Sequence, residues 1–121
     1  MLWLLALLAV MPVANVVAAN VAKIGSTQYA TLQAAFDEVA DGQTITLTAN
    51  ITQDAGFKFD RSGVSAKLNL NKKTLTVNVG SNVNNRAIRI DNGTLEVYDG
   101  TINAVGSGTT SSNGTGCYGA F

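Results

Sequence analysis

The sequence predicts a mainly β fold: a parallel β-helix of about three rungs with a short N-terminal capping α-helix. Three observations predict it. One amphipathic segment has helical spacing, every later apolar segment alternates with a period of two, and two of those segments repeat at a fixed offset.

The composition of the 121-residue chain excludes several classes of protein. A chain of this length forms one small domain at most. Lys plus Arg and Asp plus Glu each total 8, so there is no basic surplus, and we expect no nucleic-acid partner. His is absent and Cys117 is the single cysteine. These counts exclude a His-containing catalytic triad, a His-ligated zinc site and a disulfide within the chain.

The N-terminal segment resembles a secretory signal peptide. Residues 1–22 carry no charge, and an apolar run is followed by Pro12 and a small-residue stretch that favours cleavage after Ala19. No Lys or Arg precedes the apolar run, which departs from the usual pattern. The alternative is a retained membrane anchor, since the segment approaches the ~20 residues that span a bilayer. Residues 1–19 are therefore assigned as a leader, and the predicted location is secreted or cell-surface.

A single helix is predicted after a short strand at residues 22–24. Thr31 is a candidate N-cap, and Gly42 is placed as the C′ residue in a left-handed conformation. The apolar side chains between them lie one helical turn apart and form one stripe: Leu32, Ala35, Phe36 and Val39. A helix of about ten residues is marginal alone, so this stripe is expected to cover the first rung.

After Gly42 the apolar period changes to two. The predicted strands are four or five residues long and are bounded by Gly, Asn or Asp. They are rich in Thr and β-branched residues, as strands prefer. Their apolar positions are Ile45 and Leu47, Leu68 and Leu70, Leu75 and Val77, Ile88 and Ile90, Leu95 and Val97, and Ile102.

Residues 68–77 match residues 88–97 at an offset of 20, with apolar positions facing apolar positions throughout. Asn71 then matches Asp91 at the bend between two strands, where both residue types tolerate left-handed backbone. Ile45 and Leu68 form a looser copy, 23 residues apart. A small antiparallel sandwich explains the alternation but not the constant offset. The offset predicts stacking of Leu68 on Ile88, Leu70 on Ile90, Leu75 on Leu95, and Val77 on Val97.

The segment from Ala22 to Leu47 resembles the start of bacterial surface proteins of the pectin-lyase-like family. The likeness is carried by Ala22-Lys23-Ile24-Gly25, Tyr29-Ala30-Thr31-Leu32-Gln33-Ala34-Ala35 and Asp41-Gly42-Gln43-Thr44-Ile45-Thr46-Leu47. It implies a right-handed parallel β-helix whose capping helix precedes the first rung, over roughly residues 22–104. The family includes lyases, hydrolases and non-catalytic adhesins, so the resemblance bears on fold more than on activity.

Residues 20–105 are assigned to the cap and first rungs. Residues 106–121 are assigned to a flexible Gly/Ser/Thr loop and the start of a further rung. Three rungs are fewer than the family usually carries, so we expect the N-terminal fragment of a longer protein. The alternative is that another copy covers the open rung, which predicts self-association at the C-terminal end.

The sequence offers no catalytic constellation and no cofactor or metal site. Asp91, Glu96 and Asp99 with Arg86 and Arg89 are the candidates for lyase chemistry, but a solvated sheet face explains them better. An outward row could instead hydrogen-bond a sugar chain, with Asn69 beside Arg89 on the neighbouring rung. The predicted ligand-facing residues are Asn69, Arg89, Glu96 and Tyr98.

The predicted function is that of an exported, non-catalytic surface module that binds a polysaccharide or a host surface. The alternative is the N-terminal part of a polysaccharide lyase or glycoside hydrolase whose active site lies beyond Phe121. Membrane contact is expected only through the leader, if it is retained.

Overall fold

A computed structural model describes residues 19–80 and 86–106. The chain is mainly β, and one helix is present in the described ranges. Predictions for the leader, for Cys117 and for residues 107–121 lie outside those ranges. The elements are β1 (Ala22–Ile24), β2 (Thr27–Tyr29), α1 (Leu32–Glu38), β3 (Thr44–Leu47), β4 (Ile51–Gln53), β5 (Phe57–Asn69), β6 (Thr74–Gly80), β7 (Ile88–Tyr98) and β8 (Thr101–Gly106).

Two sheets form, and both contain parallel strands. The larger has the order β2-β1-β3-β5-β7, and the smaller has the order β4-β6-β8. Pairing is parallel from β3 to β5 to β7 and throughout the smaller sheet. From β3 onward, successive strands of the chain therefore alternate between the sheets, and from β5 onward each lies beside an earlier strand of the same sheet.

The first edge of the larger sheet is covered by an antiparallel hairpin. The predicted strand at Ala22–Ile24 is confirmed as β1, which pairs antiparallel with both β2 and β3. Gly25, at φ 61°, makes the tight turn between β1 and β2. This parallel sheet therefore accepts antiparallel strands at its edge.

Helix α1 begins as predicted and ends earlier than predicted. The Thr31 side chain accepts a hydrogen bond from the Ala34 N–H at 3.1 Å, so Thr31 is the N-cap. The helix ends at Glu38 with Val39 as an extended C-cap. Gly42 is left-handed at φ 83°, but it lies in the turn before β3 and is not the C′ residue.

The predicted helical stripe is buried. Leu32, Ala35, Phe36 and Val39 are all at most 1% exposed. The Phe36 ring packs edge-on against Phe57 and Phe59 of β5, with centroids 6.2 and 5.6 Å apart. The helix therefore covers the first half of β5, a strand segment that the periodicity analysis missed.

The predicted 20-residue stacking is wrong. Ile45 does pair with Leu68, as the earlier copy predicted. Leu68, however, pairs with Val97 and not with Ile88. Ile88 and Ile90 pair with Phe57 and Phe59, Leu95 pairs with Ala66, and Leu75 pairs with Ile102. Leu70 does not pair with Ile90, nor Leu75 with Leu95, nor Val77 with Val97.

The offset fails because it aligns the end of β5 and the start of β6 with the two halves of β7, and because the turns that do stack differ in length. Four residues lie between Asp60 and Ser65 of β5, whereas Gly93 alone lies between their partners Asn92 and Thr94. Asn71 is left-handed at φ 53°, as predicted, but Asp91 lies within β7. The left-handed residue that corresponds to Asn71 is Asp99, at φ 62°, which follows β7 as Asn71 follows β5.

The core lies between the sheets and α1, and it thins toward the last strands. Leu68, Leu75 and Val77 are fully buried at 0% exposure. Five inward-facing side chains on β7 and β8 are only partly buried: Ile90, Leu95, Val97, Ile102 and Ala104. The edges of β7 and β8 thus adjoin apolar side chains that incompletely cover the core.

Candidate functional site

The candidate site is the outer face of the larger sheet, which we define as the side of β3, β5 and β7 that points away from the core. Alternation along each strand puts polar side chains here because the intervening apolar residues are buried. Parallel pairing then aligns polar residues of successive strands into columns about 4.8 Å apart.

Two columns lie at the second half of β5 and β7. Asn69 lies between Thr46 of β3 and Tyr98 of β7. The phenol of Tyr98 is on the outer face, and the residue is 39% exposed. The predicted position of Asn69 beside Arg89 is wrong, because the true register places Arg89 next to Lys58. This column of hydroxyl, amide and phenol groups crosses three strands, and we call it the polar row.

The neighbouring column joins opposite charges. Lys67 lies between Thr44 and Glu96, and its Nζ is 3.9 Å from a Glu96 carboxylate oxygen. Both side chains are more than half exposed, so this ion pair adds little stability. It does cancel the charge beside the row that contains Asn69.

A charged cluster occupies the first half of β5 and β7. The Arg89 guanidinium donates two hydrogen bonds to the Asp91 carboxylate, at 2.8 and 2.7 Å. Lys58 lies 3.3 Å from Asp60 and 3.7 Å from Asp91. Asn92 donates to Asp60 at 2.7 Å. The cluster therefore contains two cations and two anions, and each carboxylate is already hydrogen-bonded.

These contacts favour the charged forms of the acids. The hydrogen bond from Asn92, helped by Lys58, lowers the pKa of Asp60. The hydrogen bonds from Arg89 lower the pKa of Asp91 and in turn raise the pKa of Arg89. A general acid near neutral pH needs a raised carboxyl pKa, so this cluster does not match that requirement.

The turn after β5 holds Asn69 and its neighbours in place. The Asn69 side chain accepts a hydrogen bond from the Asn71 N–H at 2.8 Å. The Asn71 amide donates to the Leu47 carbonyl at 3.0 Å, and Lys72 N–H donates to the Asp99 carbonyl at 2.6 Å. Backbone and amide bonds thus link the turns that follow β3, β5 and β7.

The outer face also contains residues that the sequence analysis missed. Lys58 and Asp60 were not predicted because the strand from Phe57 was not recognised. Its alternation of Phe57 and Phe59 with Lys58 and Asp60 is the pattern that could have identified it. Lys67 was missed as the neighbour of Glu96 because the wrong offset placed Glu96 elsewhere.

Two further acidic residues, Asp37 and Asp41, have structural partners. Asp37 accepts from Gln33, and the Asp41 carboxylate accepts from the Ser65 N–H at 2.8 Å. Over residues 19–80 and 86–106, no group of three potential metal ligands converges. No helix in the same ranges combines the length and the apolar character that a membrane span requires.

Comparison of this chain with protein-family models, with curated proteins and with solved structures gave no match.

Proposed function

We propose that this chain is an exported, non-catalytic surface module, built as a right-handed parallel β-helix of about three rungs, that binds an uncharged polysaccharide. The fold part of the proposal is supported by the parallel pairing of β3, β5 and β7 and of β4, β6 and β8. It is also supported by the alternation of successive strands between two sheets, and by the resemblance of residues 22–47 to the pectin-lyase-like family.

The row of Thr46, Asn69 and Tyr98 carries the binding proposal. A sugar ring presents hydroxyl groups at its rim and C–H groups on its faces. Amide and hydroxyl groups complement the rim, and an exposed aromatic ring complements a face. Because the strands are about 4.8 Å apart, the row offers contacts at a spacing close to the length of a sugar residue.

Charge balance favours an uncharged ligand. The side chains of Lys58, Lys67 and Arg89 are matched on the outer face by those of Asp60, Asp91 and Glu96. From the charges on β3, β5 and β7 a polyuronate would gain no net attraction and would meet carboxylates, although Lys23 of β1 lies beside Thr46 at the end of the row. A neutral glycan is the class for which the polar row remains available.

The binding test is native gel electrophoresis of the chain in gels that contain soluble xylan, hydroxyethyl cellulose or polygalacturonate. We expect at least one neutral polymer to retard the chain, and polygalacturonate to leave its mobility unchanged. Tyr98→Ala and Asn69→Ala should each weaken retardation about tenfold. Thr52→Ala is the matched control, since Thr52 is exposed on β4 of the other sheet and should bind as wild type.

Three outcomes of that test would refute the proposal. They are an absence of retardation by any neutral polymer, equal loss in the Thr52 control, and release of new reducing ends during incubation, which would indicate a hydrolase or lyase. Export is tested separately by N-terminal sequencing of the natively expressed protein in the supernatant and cell-surface fractions. A protein whose first residue is Asn20 is expected there.

A further inference from the structure

We propose that the edge of β7, which no strand of residues 19–80 and 86–106 covers, binds the β7 edge of a second copy of this chain, in one antiparallel register about a two-fold axis. The proposal does not depend on polysaccharide binding. The surface involved is the edge of β7 and not the outer face of the sheet. Two features of β7 determine the register: the direction of its backbone groups and the alternation of its side chains.

The backbone of β7 presents hydrogen-bonding groups to the free side at defined residues. The carbonyls of Ala87 and Tyr98 accept from Phe57 and Leu70 of the β5 side, at 2.9 Å each. Because backbone groups alternate in direction along a strand, the neighbouring residues Ile88 and Val97 point theirs at the free edge. By the same alternation, the backbone groups of Ile90 and Leu95 also point at the free edge, away from β5.

The side chains at those same positions are the apolar ones that face the core. They have even numbers before Gly93 (Ile88 and Ile90) and odd numbers after it (Leu95 and Val97). Gly93, at φ 94°, lies at this switch. An antiparallel self-pairing that keeps apolar side chains opposite one another therefore joins an even-numbered residue of one copy to an odd-numbered residue of the other. The two-fold axis of such a pairing passes between two residues and not through one.

The register centred between Asn92 and Gly93 satisfies both the backbone directions and the side-chain alternation. It matches backbone groups that point at the partner, as a hydrogen-bonded antiparallel pair requires. It also pairs all four apolar positions and places opposite charges across the interface on the outer face. Opposite one another, each with its partner on the second copy, are Ile88 and Val97, Ile90 and Leu95, and Arg89 and Glu96.

Two-fold symmetry makes each of these contacts occur twice, as in an isologous dimer. Arg89 and Glu96 form a non-hydrogen-bonded pair, in which opposed side chains approach most closely. Strand β8, on the edge of the smaller sheet, accommodates the same symmetry. Antiparallel pairing centred on Asn103 would place Ile102 opposite Ala104 of the second copy, and both are only partly buried here.

A second copy is a suitable occupant because this sheet already accepts an antiparallel strand at its other edge, where β1 pairs with β3. A parallel sheet is thus extended by antiparallel pairing within one chain. Covering β7 and β8 would also complete the burial of the five partly exposed core side chains described above.

The test exchanges the two charges in the 121-residue chain and measures mass by sedimentation over a range of concentrations. Wild type should reach twice its 12.5 kDa monomer mass. Arg89→Glu places Glu opposite Glu96, and Glu96→Arg places Arg opposite Arg89. Each single change should weaken the dimer at least about tenfold, because two attractive pairs become repulsive. The double change should restore dimerisation.

Mixing the two single variants gives the sharpest result. In a heterodimer of Arg89→Glu with Glu96→Arg, every cross-strand pair again joins opposite charges, so the mixture should dimerise although neither component does. Lys58→Glu is the control: Lys58 lies on the same face but on β5, so its reversal should leave dimerisation unchanged. All variants share the apolar N-terminal segment, so association through that segment would not follow the charge pattern.

Hydrogen exchange locates the interface. The Ile88, Ile90, Leu95 and Val97 amides should become protected as concentration rises, whereas the amides on the free side of edge strand β2 should not. A wild-type monomer at all concentrations would overturn the proposal, and so would association that ignores the charge reversals. Concentration-independent protection of the β7 edge in a monomer would also overturn it, since another segment of the same chain would then be the occupant.

Discussion

Gly93→Ala should destabilise the chain severely, and Gly63→Ala should not. Both glycines are left-handed, at φ 94° and 78°, and both lie at the turn where β5 and β7 change direction. A methyl group at Gly93 would lie 2.4 Å from the Arg61 carbonyl oxygen and 2.8 Å from that of Val64. A methyl group at Gly63 would meet nothing within 4 Å. The two substitutions therefore share one cost and differ in another.

The magnitudes follow from that difference. Left-handed backbone costs an alanine about 1–2 kcal/mol at either position. Overpacking adds about 1–3 kcal/mol at Gly93, since backbone carbonyls retreat only if the strands separate. We therefore expect a loss of about 1–2 kcal/mol for Gly63→Ala and about 2–5 kcal/mol for Gly93→Ala.

The assay is urea denaturation followed by far-ultraviolet circular dichroism. Because Gly93 also lies at the centre of the proposed dimer contact, each curve is recorded at two protein concentrations. The difference in free energy of unfolding between the two variants that remains at the lower concentration measures the steric clash at Gly93. If the two variants then agree within about 0.5 kcal/mol, the close approach of β7 to the longer β5 turn is refuted, together with the register that produces it.

Three further predictions concern the core, the helix and the charged cluster. Leu68→Ala should cost about 2–5 kcal/mol and Leu95→Ala clearly less, because Leu95 is only partly buried; equal losses in urea denaturation would contradict the thinning of the core. Arg61→Ala should cost about 1–3 kcal/mol by the same assay, because the guanidinium donates to the carbonyls of Asp37 and Val39 at the end of α1; an unchanged midpoint would mean that these bonds do not hold the helix. Asn92→Ala should raise the pKa of Asp60 in a carboxyl NMR titration, with Asp91 as the internal control. Because the folded pKa is lowered, the stabilisation by Asp60 is present above its unfolded pKa of about 3.8 and disappears as pH falls through the folded value.

The helix and its cap could be predicted from the sequence because both depend on neighbours a few residues away. Thr31 caps a backbone N–H three residues on, and the apolar stripe needs only the helical period. The alternation of buried and exposed positions was also local. It correctly identified Leu47, Leu68 and Leu75 as core residues.

The outer face could be predicted only in part, because it depends on register. Alternation indicates that Asn69 and Arg89 face away from the core, but which residue lies beside each depends on the number of residues in every intervening turn. The bulges at Asp60 and before Ser65 shift that number by amounts that no local pattern records. Lys67 and Tyr98 therefore emerged as neighbours of Glu96 and Asn69 only from the three-dimensional pairing.

The 20-residue similarity nevertheless has a physical origin. It aligns the turn at Asn71, which joins β5 to β6, with the bend at Gly93 inside β7. At each of these corners, two strand segments with alternating apolar and polar residues are joined by residues that accept left-handed backbone. Two corners can therefore have similar sequences although they lie at different places in the fold. Corners that stack are identified instead by the bonds between them, such as that from Lys72 N–H to the Asp99 carbonyl. A sequence search for stacked strands in such a chain should therefore align the turn at Asn71 with the turn at Asp99, and not with the nearer bend at Gly93.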